Sequence, residues 1–450
     1  MNTRVADGPQ SRGQQVKWIL GGSIGNFIEW YDWIIFALLA PAFAGYIFPS
    51  DSEATSVMLT YLTFAAGFLV RPLSAVVLSP YGDQYGRRKL LSLTIVLMGA
   101  GSLIIALTPA HDSIGVLAPV LVVTARVIQG IATGAEFQAG STYVVEQAPP
   151  RHRGLAGSII YSGTAVAKIA GTGIAALSAS LAPGVLPEAW AWRVPFLLGA
   201  VFSLYALYVR FRTPESPEFE AAKETNSLVD KPLRALFASH KGSMLRVFLL
   251  VALECPFTIW TTFLPTYMHL TGDMPLDEAL LGGTLSLVVF FFALPLAGAL
   301  SDRIGRKPLL LVTAVGFLLY TYPALRLLDG ASFGTFVLID SVGCVLLAAT
   351  CGPLPTVLSE LFPTEFRMSG IGLPYAAGVA VFGGTAPLIA TAFIDAGHTL
   401  WVGFYVTFVA LLMVVNVATI RETGHTRKAA QDAVPPAPAP EQSAARRVPS

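Results

Sequence analysis

Twelve long apolar runs separated by short polar segments restrict this chain to one kind of fold, a bundle of membrane-spanning helices. A helix needs about 20 apolar residues to cross a bilayer. Only 13% of the 450 residues are charged, against about 25% in a typical soluble domain. The predicted spans are residues 17–48, 56–79, 90–109, 115–147, 155–182, 193–211, 244–270, 279–300, 308–328, 332–361, 369–395 and 399–420. We therefore predict an all-α membrane protein with twelve transmembrane helices.

A charged turn occurs once in each half of the chain. The first copy, Ser79-Pro-Tyr-Gly-Asp-Gln-Tyr-Gly-Arg-Arg-Lys89, follows the second span, and the other, Gly298-Ala-Leu-Ser-Asp-Arg-Ile-Gly-Arg-Lys307, follows the eighth. Each copy has an acid, a glycine three residues later and then a basic pair. Asp83 and Asp302 are 219 residues apart, close to half the chain. This repeat predicts two pseudo-symmetric halves of six helices each.

The distribution of basic residues predicts which helix ends face the cytoplasm. All but five of the 29 Lys and Arg residues fall on one side if both termini are cytoplasmic. Basic residues are in excess in cytoplasmic loops, so both termini are predicted to lie there. The predicted organisation is a tail at 1–16, a six-helix half at 17–211, a middle loop at 212–243, a second half at 244–420 and a Pro- and Ala-rich tail, expected to be disordered, at 421–450.

The first predicted helix carries two acids, Glu29 and Asp32, about halfway along its length. They are three residues apart and are expected to share a face of the helix. An ionisable residue at the centre of a span costs about 2.5–3.5 kcal/mol on insertion scales, so function is its default interpretation. Two interpretations stay open. The acids line a cavity and carry a proton, or they pair with Arg71 or another basic group and hold the half together.

The fourth predicted helix carries a polar stripe at helical spacing, formed by Arg126, Gln129, Thr133 and Glu136. Such a stripe is typical of a water-filled cavity and close helix packing. Arg126 and Glu136 lie about 15 Å apart along the helix axis, so they cannot pair with each other. Burial favours the neutral form of a carboxyl group. Glu136 is therefore either a proton site or a member of a fixed salt bridge.

The fifth predicted helix carries Lys168 near its middle, with Tyr161 on the same side. A lysine at this depth is either the counter-charge for an anionic substrate, which we favour, or the partner of Glu29 or Asp32. The seventh predicted helix carries Glu254, to which the sequence alone assigns no role.

The repeated turn resembles the cytoplasmic loop signature of the major facilitator superfamily. The second copy matches in full, whereas the first has Ser79 and Gln84 in place of the usual glycine and basic residue. Further stretches resemble the metabolite:proton symporter branch of that family; they include Gly25-Asn-Phe-Ile-Glu-Trp-Tyr-Asp32, Arg126-Val-Ile-Gln-Gly130, Glu360-Leu-Phe-Pro-Thr364 and Phe382-Gly-Gly-Thr-Ala-Pro387. The resemblance implies import of a small polar metabolite together with protons.

We therefore predict a proton-coupled importer of a small organic acid, a mono-, di- or tricarboxylate, that works by alternating access. The residues predicted to bind the substrate are Arg126, Lys168, Tyr31, Tyr161 and Gln129. Those predicted to carry the proton are Glu136, Glu29 and Asp32. The predicted cytoplasmic gate consists of Asp83, Arg87, Asp302, Arg306 and Arg367, with Asp83 held by the N-terminus of the eleventh helix.

Two other functions are weighed against this prediction. The first is a proton symporter of a zwitterion such as proline or betaine, with a cage of Trp30, Tyr31 and Tyr161 around a quaternary ammonium. The second is a membrane sensor that binds a ligand without moving it. The sequence contains no nucleophile elbow, phosphate loop or metal cluster, so we expect neither an enzyme nor a cofactor. A net charge of +1 argues against nucleic-acid binding. We expect a monomer in the bacterial inner membrane.

Overall fold

A computed structural model describes residues 27–85, 87–133, 148–181, 187–211, 241–362 and 367–420, together with Val145 and Glu422. All regular secondary structure in these residues is helical. The long helices are numbered here in chain order. In the first half they are α1 (Phe27–Leu38 and Ala40–Ile47), α2 (Glu53–Tyr85), α3 (Arg87–Leu107), α4 (Leu117–Ala132), α5 (Arg153–Leu181) and α6 (Arg193–Phe211). In the second half they are α7 (Lys241–Thr271), α8 (Leu276–Ile304), α9 (Lys307–Leu327), α10 (Phe333–Glu360), α11 (Arg367–Gly378, Val379–Gly384 and Ala386–Asp395) and α12 (Trp401–Thr419).

The lengths of these helices suit a membrane bundle. Within the described residues, nine helices are long and apolar enough to cross a bilayer, and the two segments of α1, bent by 69°, form a tenth span. The other two, α3 and α4, contain shorter apolar segments, Ser92–Leu107 and Leu117–Ala132. The predicted set of twelve membrane helices is confirmed.

The exposure of side chains is inverted relative to a soluble protein. Leu204, Leu296 and Leu319 are 68%, 72% and 69% exposed on the outside of the bundle. By contrast, Arg126 and Lys168 are buried inside it. Charged side chains are expensive in hydrocarbon, whereas exposed leucines are favourable there. The outer surface is therefore suited to lipid, and the polar chemistry lies inside the bundle.

Two helices of the second half change their hydrogen-bonding pattern near mid-length. In α7 a 3₁₀ turn at Val251–Leu253 precedes a π-helical segment at Ile259–Phe263, and α11 is π-helical at Val379–Gly384. Short π-helical segments occur frequently at functional sites. A Cβ on Gly383 would stand 3.2 Å from the Cβ of Glu254, so the two irregular segments lie against each other at Glu254.

The two halves touch each other near both ends of the bundle. We call the end at which α8 meets α9 the basic end, because Arg306 lies there, and the other the opposite end. At the opposite end the hydroxyls of Tyr61 in α2 and Thr266 in α7 lie 3.2 Å apart. Nearby, the Glu53 carboxylate lies 3.3 Å from the His269 ring. These contacts join α2 to α7 and close that end between these helices.

The helices α5 and α8, which belong to different halves, lie against each other along most of their length. Near the basic end the backbones meet at Gly154 and Gly298. A Cβ on Gly154 would stand 2.5 Å from the Gly298 carbonyl oxygen, closer than a real Cβ contact allows. At the opposite end the Ser180 hydroxyl donates to the Asp277 carboxylate at 3.4 Å. Small residues therefore let the two halves approach closely here.

Replacing Gly154 with alanine is expected to force α5 away from α8 at the basic end. Overpacking of this kind costs about 1–3 kcal/mol, and we expect a lower midpoint of thermal unfolding in detergent. Gly163 in the same helix is the matched control, because nothing lies within 4 Å of a Cβ added there. Equal unfolding midpoints for Gly154→Ala and Gly163→Ala would show that the close approach of the two backbones is not required.

Candidate transport site

Charged and polar side chains meet at mid-depth, where α1, α2 and α5 face α7 and α11. We call this group the central cluster. It comprises Glu29, Arg71, Tyr161, Lys168, Glu254, Thr261, Thr262 and Tyr375. Both halves contribute to it, and all of its members are less than 10% exposed. A substrate bound here would contact both halves at once, as alternating access requires.

The Glu29 carboxylate and the Arg71 guanidinium form an ion pair between α1 and α2. The Arg71 Nη2 atom donates to Glu29 Oε1 at 2.8 Å. The guanidinium carbon of Arg71 also lies 4.6 Å from the Trp33 ring centroid and 4.4 Å from that of Phe68. Of the two arrangements left open by the sequence, the pairing of Glu29 with Arg71 is the one observed.

The Lys168 ammonium group crosses from α5 to α7. Its Nζ atom donates to the Thr261 hydroxyl at 2.6 Å and to the Thr262 hydroxyl at 3.1 Å. It also lies 4.1 Å from the Phe257 ring centroid. Among the described residues, no ion pair joins Lys168 to a carboxylate. Neutral hydroxyls can orient an ammonium group, but they leave its charge without a direct counter-ion.

The Glu254 carboxylate lies on α7 on the side that faces α5 and α2. It interacts electrostatically with Lys168 and Arg71 and lies near the Tyr375 hydroxyl of α11. Glu254 is only 3% exposed. Although an acid in an apolar span is recognisable in a sequence, its proximity to Lys168 depends on how the halves dock. Sequence reasoning therefore left Glu254 without a role, and it missed Thr261, Thr262 and Tyr375.

Aromatic rings form one wall of the central cluster. The rings of Trp30 and Tyr161 each make an edge contact with Phe257, with centroid distances of 6.3 Å in both cases. Tyr31 does not join them, because its hydroxyl donates to the Pro195 carbonyl of α6 at 2.9 Å. The three-residue cage of Trp30, Tyr31 and Tyr161 expected from the sequence is therefore not formed. The ring that lies beside Trp30 and Tyr161 is that of Phe257 and not that of Tyr31.

A second group of polar side chains lies within the first half. Arg126 donates to the main-chain oxygen of Asp32 at 3.2 Å, and its guanidinium carbon stands 3.8 Å from the Phe36 ring centroid. The Asp32 carboxylate points towards α6, where a Cβ on Gly199 would stand 2.5 Å from Asp32 Oδ1. Asp32 and Glu29 were expected to share a face, but they contact different helices.

Gln129 belongs to the same group inside the first half. Its Nε2 atom donates to the Met98 carbonyl at 3.2 Å and to the Ser102 hydroxyl at 3.0 Å, both on α3. Of the predicted stripe, Gln129 therefore packs α4 against α3, and Arg126 packs it against α1. Glu136 lies outside the described residues.

Asp302 joins the two halves at the basic end. Its carboxylate accepts hydrogen bonds from the main-chain N–H groups of Gly154 at 2.9 Å and Leu155 at 3.0 Å, at the start of α5. It also accepts from Arg306 Nη1 at 2.8 Å. A carboxylate is favourable at a helix N-terminus because unpaired N–H groups and the positive end of the dipole meet there.

Of the remaining residues of the predicted gate, the structure describes the side chain of Arg306 alone. The side chains of Asp83, Arg87 and Arg367 lie outside the described residues. Asp83 of the first half was predicted to contact the N-terminus of α11 in the second half. The equivalent contact in the opposite sense is observed: Asp302 of the second half binds the N-terminus of α5 in the first half. Arg306, which was predicted to take part, is 4% exposed and lies 3.9 Å from the Glu360 carboxylate.

Comparisons with known proteins identify the family to which the chain belongs. The sequence matches the description "Sugar (and other) transporter" over residues 18–236 and "Major Facilitator Superfamily" over residues 273–449. It is 33% identical over 404 residues to the citrate-proton symporter of Klebsiella pneumoniae, covering 89% of this chain and 90% of that protein. It is also 33% identical over 402 residues to the alpha-ketoglutarate permease of Escherichia coli strain K12, covering 88% and 91%. The proline/betaine transporter of the same strain is 28% identical over 423 residues, covering 92% and 85%.

The fold has a solved counterpart. A crystal structure of a D-xylose-proton symporter superposes with a TM-score of 0.70 at 18% identity, covering 90% of this chain and 96% of that one. The matching family and the relatives are membrane transporters and not enzymes. The chain belongs to the major facilitator superfamily.

Proposed function

We propose that this protein imports a small organic acid, a mono-, di- or tricarboxylate, together with protons by alternating access. The observation that carries the proposal is the buried Lys168 ammonium, whose hydrogen bonds among the described residues go to the Thr261 and Thr262 hydroxyls of the other half. Because no carboxylate of these residues contacts the ammonium directly, a substrate carboxylate would gain a charge-assisted hydrogen bond there. The similarity to a citrate-proton symporter and an alpha-ketoglutarate permease supports the same substrate class.

The individual roles follow from position. Lys168 is proposed to bind a substrate carboxylate, with Tyr161 beside it. Arg126 and Gln129 are proposed to hold α4 against α1 and α3. Asp32 is proposed as a proton site of the first half, because Arg126 bonds its main-chain oxygen and not its carboxylate. Asp302 and Arg306 are proposed to form the gate at the basic end.

Orientation and location are also proposed. The basic end is assigned to the cytoplasm because basic residues are retained on that side of a membrane. Bacterial relatives support the inner membrane as the site. A monomer is proposed, since the central cluster is assembled from the two halves of one chain.

Symport of a zwitterion such as proline or betaine is the second candidate. Trp30, Tyr161 and Phe257 offer aromatic faces near Lys168, which could bind a quaternary ammonium while the lysine binds the carboxylate. The similarity to a proline/betaine transporter favours the same class.

Uptake into proteoliposomes with an inward proton gradient tests the proposal. Citrate, 2-oxoglutarate, shikimate, proline and betaine form the substrate panel. Accumulation of an acid that an uncoupler abolishes is the expected result. Accumulation of proline or betaine alone would favour the second candidate. Binding of an acid without accumulation would overturn transport and indicate a sensor.

A further inference from the structure

Glu254 is a buried acid of the central cluster that the proposed function has not used. It forms no ion pair among the described residues. The titratable and charged groups that face it come from four helices. They are Arg71 of α2, Tyr161 and Lys168 of α5, Cys351 of α10 and Tyr375 of α11.

The charges of the central cluster balance when no substrate is present. Its described residues contain two cations, Arg71 and Lys168, and two acids, Glu29 and Glu254. A carboxylate bound to Lys168 would add one negative charge to a site with little access to water. Such an unbalanced charge is costly in a medium of low dielectric constant. Uptake of one proton by an acid of the cluster would restore the balance.

The two acids differ in how readily they can accept that proton. Glu29 accepts a hydrogen bond from Arg71 at 2.8 Å, and protonation would break this pair and leave the guanidinium without its partner. Glu254 has no such pair to lose. A substrate carboxylate on Lys168 would also weaken the attraction that favours ionised Glu254. Glu254 is therefore the acid that a bound anion would neutralise.

Glu254 also lies close to the place where the substrate carboxylate is proposed to bind, so protonation and substrate binding occur at neighbouring groups. Glu254 and Thr261 lie seven residues apart on α7; Glu254 interacts electrostatically with Lys168, and the Thr261 hydroxyl accepts a hydrogen bond from it. Glu254 further contacts the irregular segment of α11 at Gly383. Glu254 therefore lies where α7 and α11, the two helices of the second half that line the cluster, meet.

We propose that Glu254 binds a proton when a substrate carboxylate binds Lys168 and releases the proton when the substrate leaves. A hydronium ion gives the proton to a carboxylate oxygen of Glu254: one O–H bond of the hydronium breaks, one O–H bond forms on the carboxyl group, and a water molecule is left. The proton cancels the negative charge that the carboxylate on Lys168 adds, so with a monocarboxylate the cluster is neutral both when empty and when loaded with substrate and proton. Either mixed state carries a net charge, which disfavours movement with substrate or proton alone. This inference rests on the proposed function and adds a proton site to it.

Titration of affinity against pH tests the proposal. The dissociation constant of 2-oxoglutarate for the purified full-length protein is measured by calorimetry between about pH 6 and pH 8.5, where both of its carboxyls are ionised. Each proton taken up on binding contributes about one to the slope of log Kd against pH. The expected slope for Glu254→Gln is lower than that of the wild type by about one. Asp340→Asn is the matched control, since Asp340 is a buried acid of α10 outside the cluster, and its slope should equal that of the wild type.

The outcomes separate the inference from the proposed function. An unchanged slope in Glu254→Gln would overturn the inference and leave symport intact. Loss of all 2-oxoglutarate binding by a monodisperse Glu254→Gln protein would also overturn it, because Glu254 would then be needed for the ligand itself. If citrate and 2-oxoglutarate neither bind to nor are accumulated by the wild type, the proposed function fails and the inference with it.

A second variant covers a failure of Glu254→Gln to fold. Glu254→Asp keeps a carboxyl group at the same helix position but withdraws it from Lys168. The slope of log Kd against pH should match that of the wild type, while the whole plot shifts along the pH axis by at least about half a pH unit. A curve that coincides with the wild type would count against the proposal.

Discussion

Lys168→Gln should bind organic acids at least about 30-fold more weakly than the wild type. Removing one member of a buried charged contact costs about 2–5 kcal/mol, and each 1.4 kcal/mol is a factor of ten in the dissociation constant. Glutamine keeps a hydrogen-bond donor near Thr261 and Thr262 but supplies no charge. The dissociation constants of citrate and 2-oxoglutarate, measured by calorimetry, check this expectation.

Lys241→Gln is the control for this experiment. Lys241 is exposed at the start of α7, and its substitution by glutamine removes the same charge from the chain as Lys168→Gln does. Its affinity and uptake should equal those of the wild type. If Lys168→Gln retains wild-type affinity for the acids, Lys168 does not bind the substrate carboxylate. If it loses affinity for proline or betaine instead, the zwitterion becomes the preferred substrate class.

Arg71→Gln is expected to have the largest effect on stability. The variant would leave the Glu29 carboxylate buried without its partner, and breaking a buried pair on one side costs about 3–5 kcal/mol. The double variant Glu29→Gln/Arg71→Gln removes both charges and should recover most of that loss. Thermal unfolding of the purified proteins measures both effects.

Arg326→Gln provides the comparison for this series. Arg326 is exposed at the end of α9 and bonds only the Tyr322 hydroxyl among the described residues, so its loss should change the unfolding midpoint little. Equal destabilisation by the single and double variants would mean that the effect arises from lost packing of Arg71 on Trp33 and Phe68, and not from the unpaired acid.

The membrane helices were predictable because each one satisfies a local requirement. About 20 apolar residues are needed to cross a bilayer, and that requirement can be recognised without knowing any neighbour. The changes of helical type in α7 were not predictable in this way. The segment Ile259–Phe263 is apolar like its surroundings, and its π-helical form depends on packing against other helices.

Which residues form the central cluster depends on how distant parts of the chain pack against each other. The sequence identified Glu29, Arg71 and Lys168 as buried charges, because an ionisable residue in a span is conspicuous. It did not reveal that Lys168 would meet Thr261, which is 93 residues further along the chain. Tyr31 lies two residues from Glu29, about 200° around the helix axis, and its hydroxyl reaches the Pro195 carbonyl of α6 and not the central cluster.

The hydrogen bonds of Asp302 to the first turn of α5 have a mechanical consequence. Lys168 lies 14 residues beyond Gly154 on the same helix, a distance of about 21 Å. A hydrogen bond is lost when it lengthens by roughly 0.6 Å, so a tilt of α5 by only about 2° around Lys168 would release it. A small rotation of α5 at Lys168 therefore produces a displacement at Gly154 that is large enough to break this hydrogen bond. If the two halves rock about the depth of Lys168, the hydrogen bonds of Asp302 to α5 would break before the neighbours of Lys168 change.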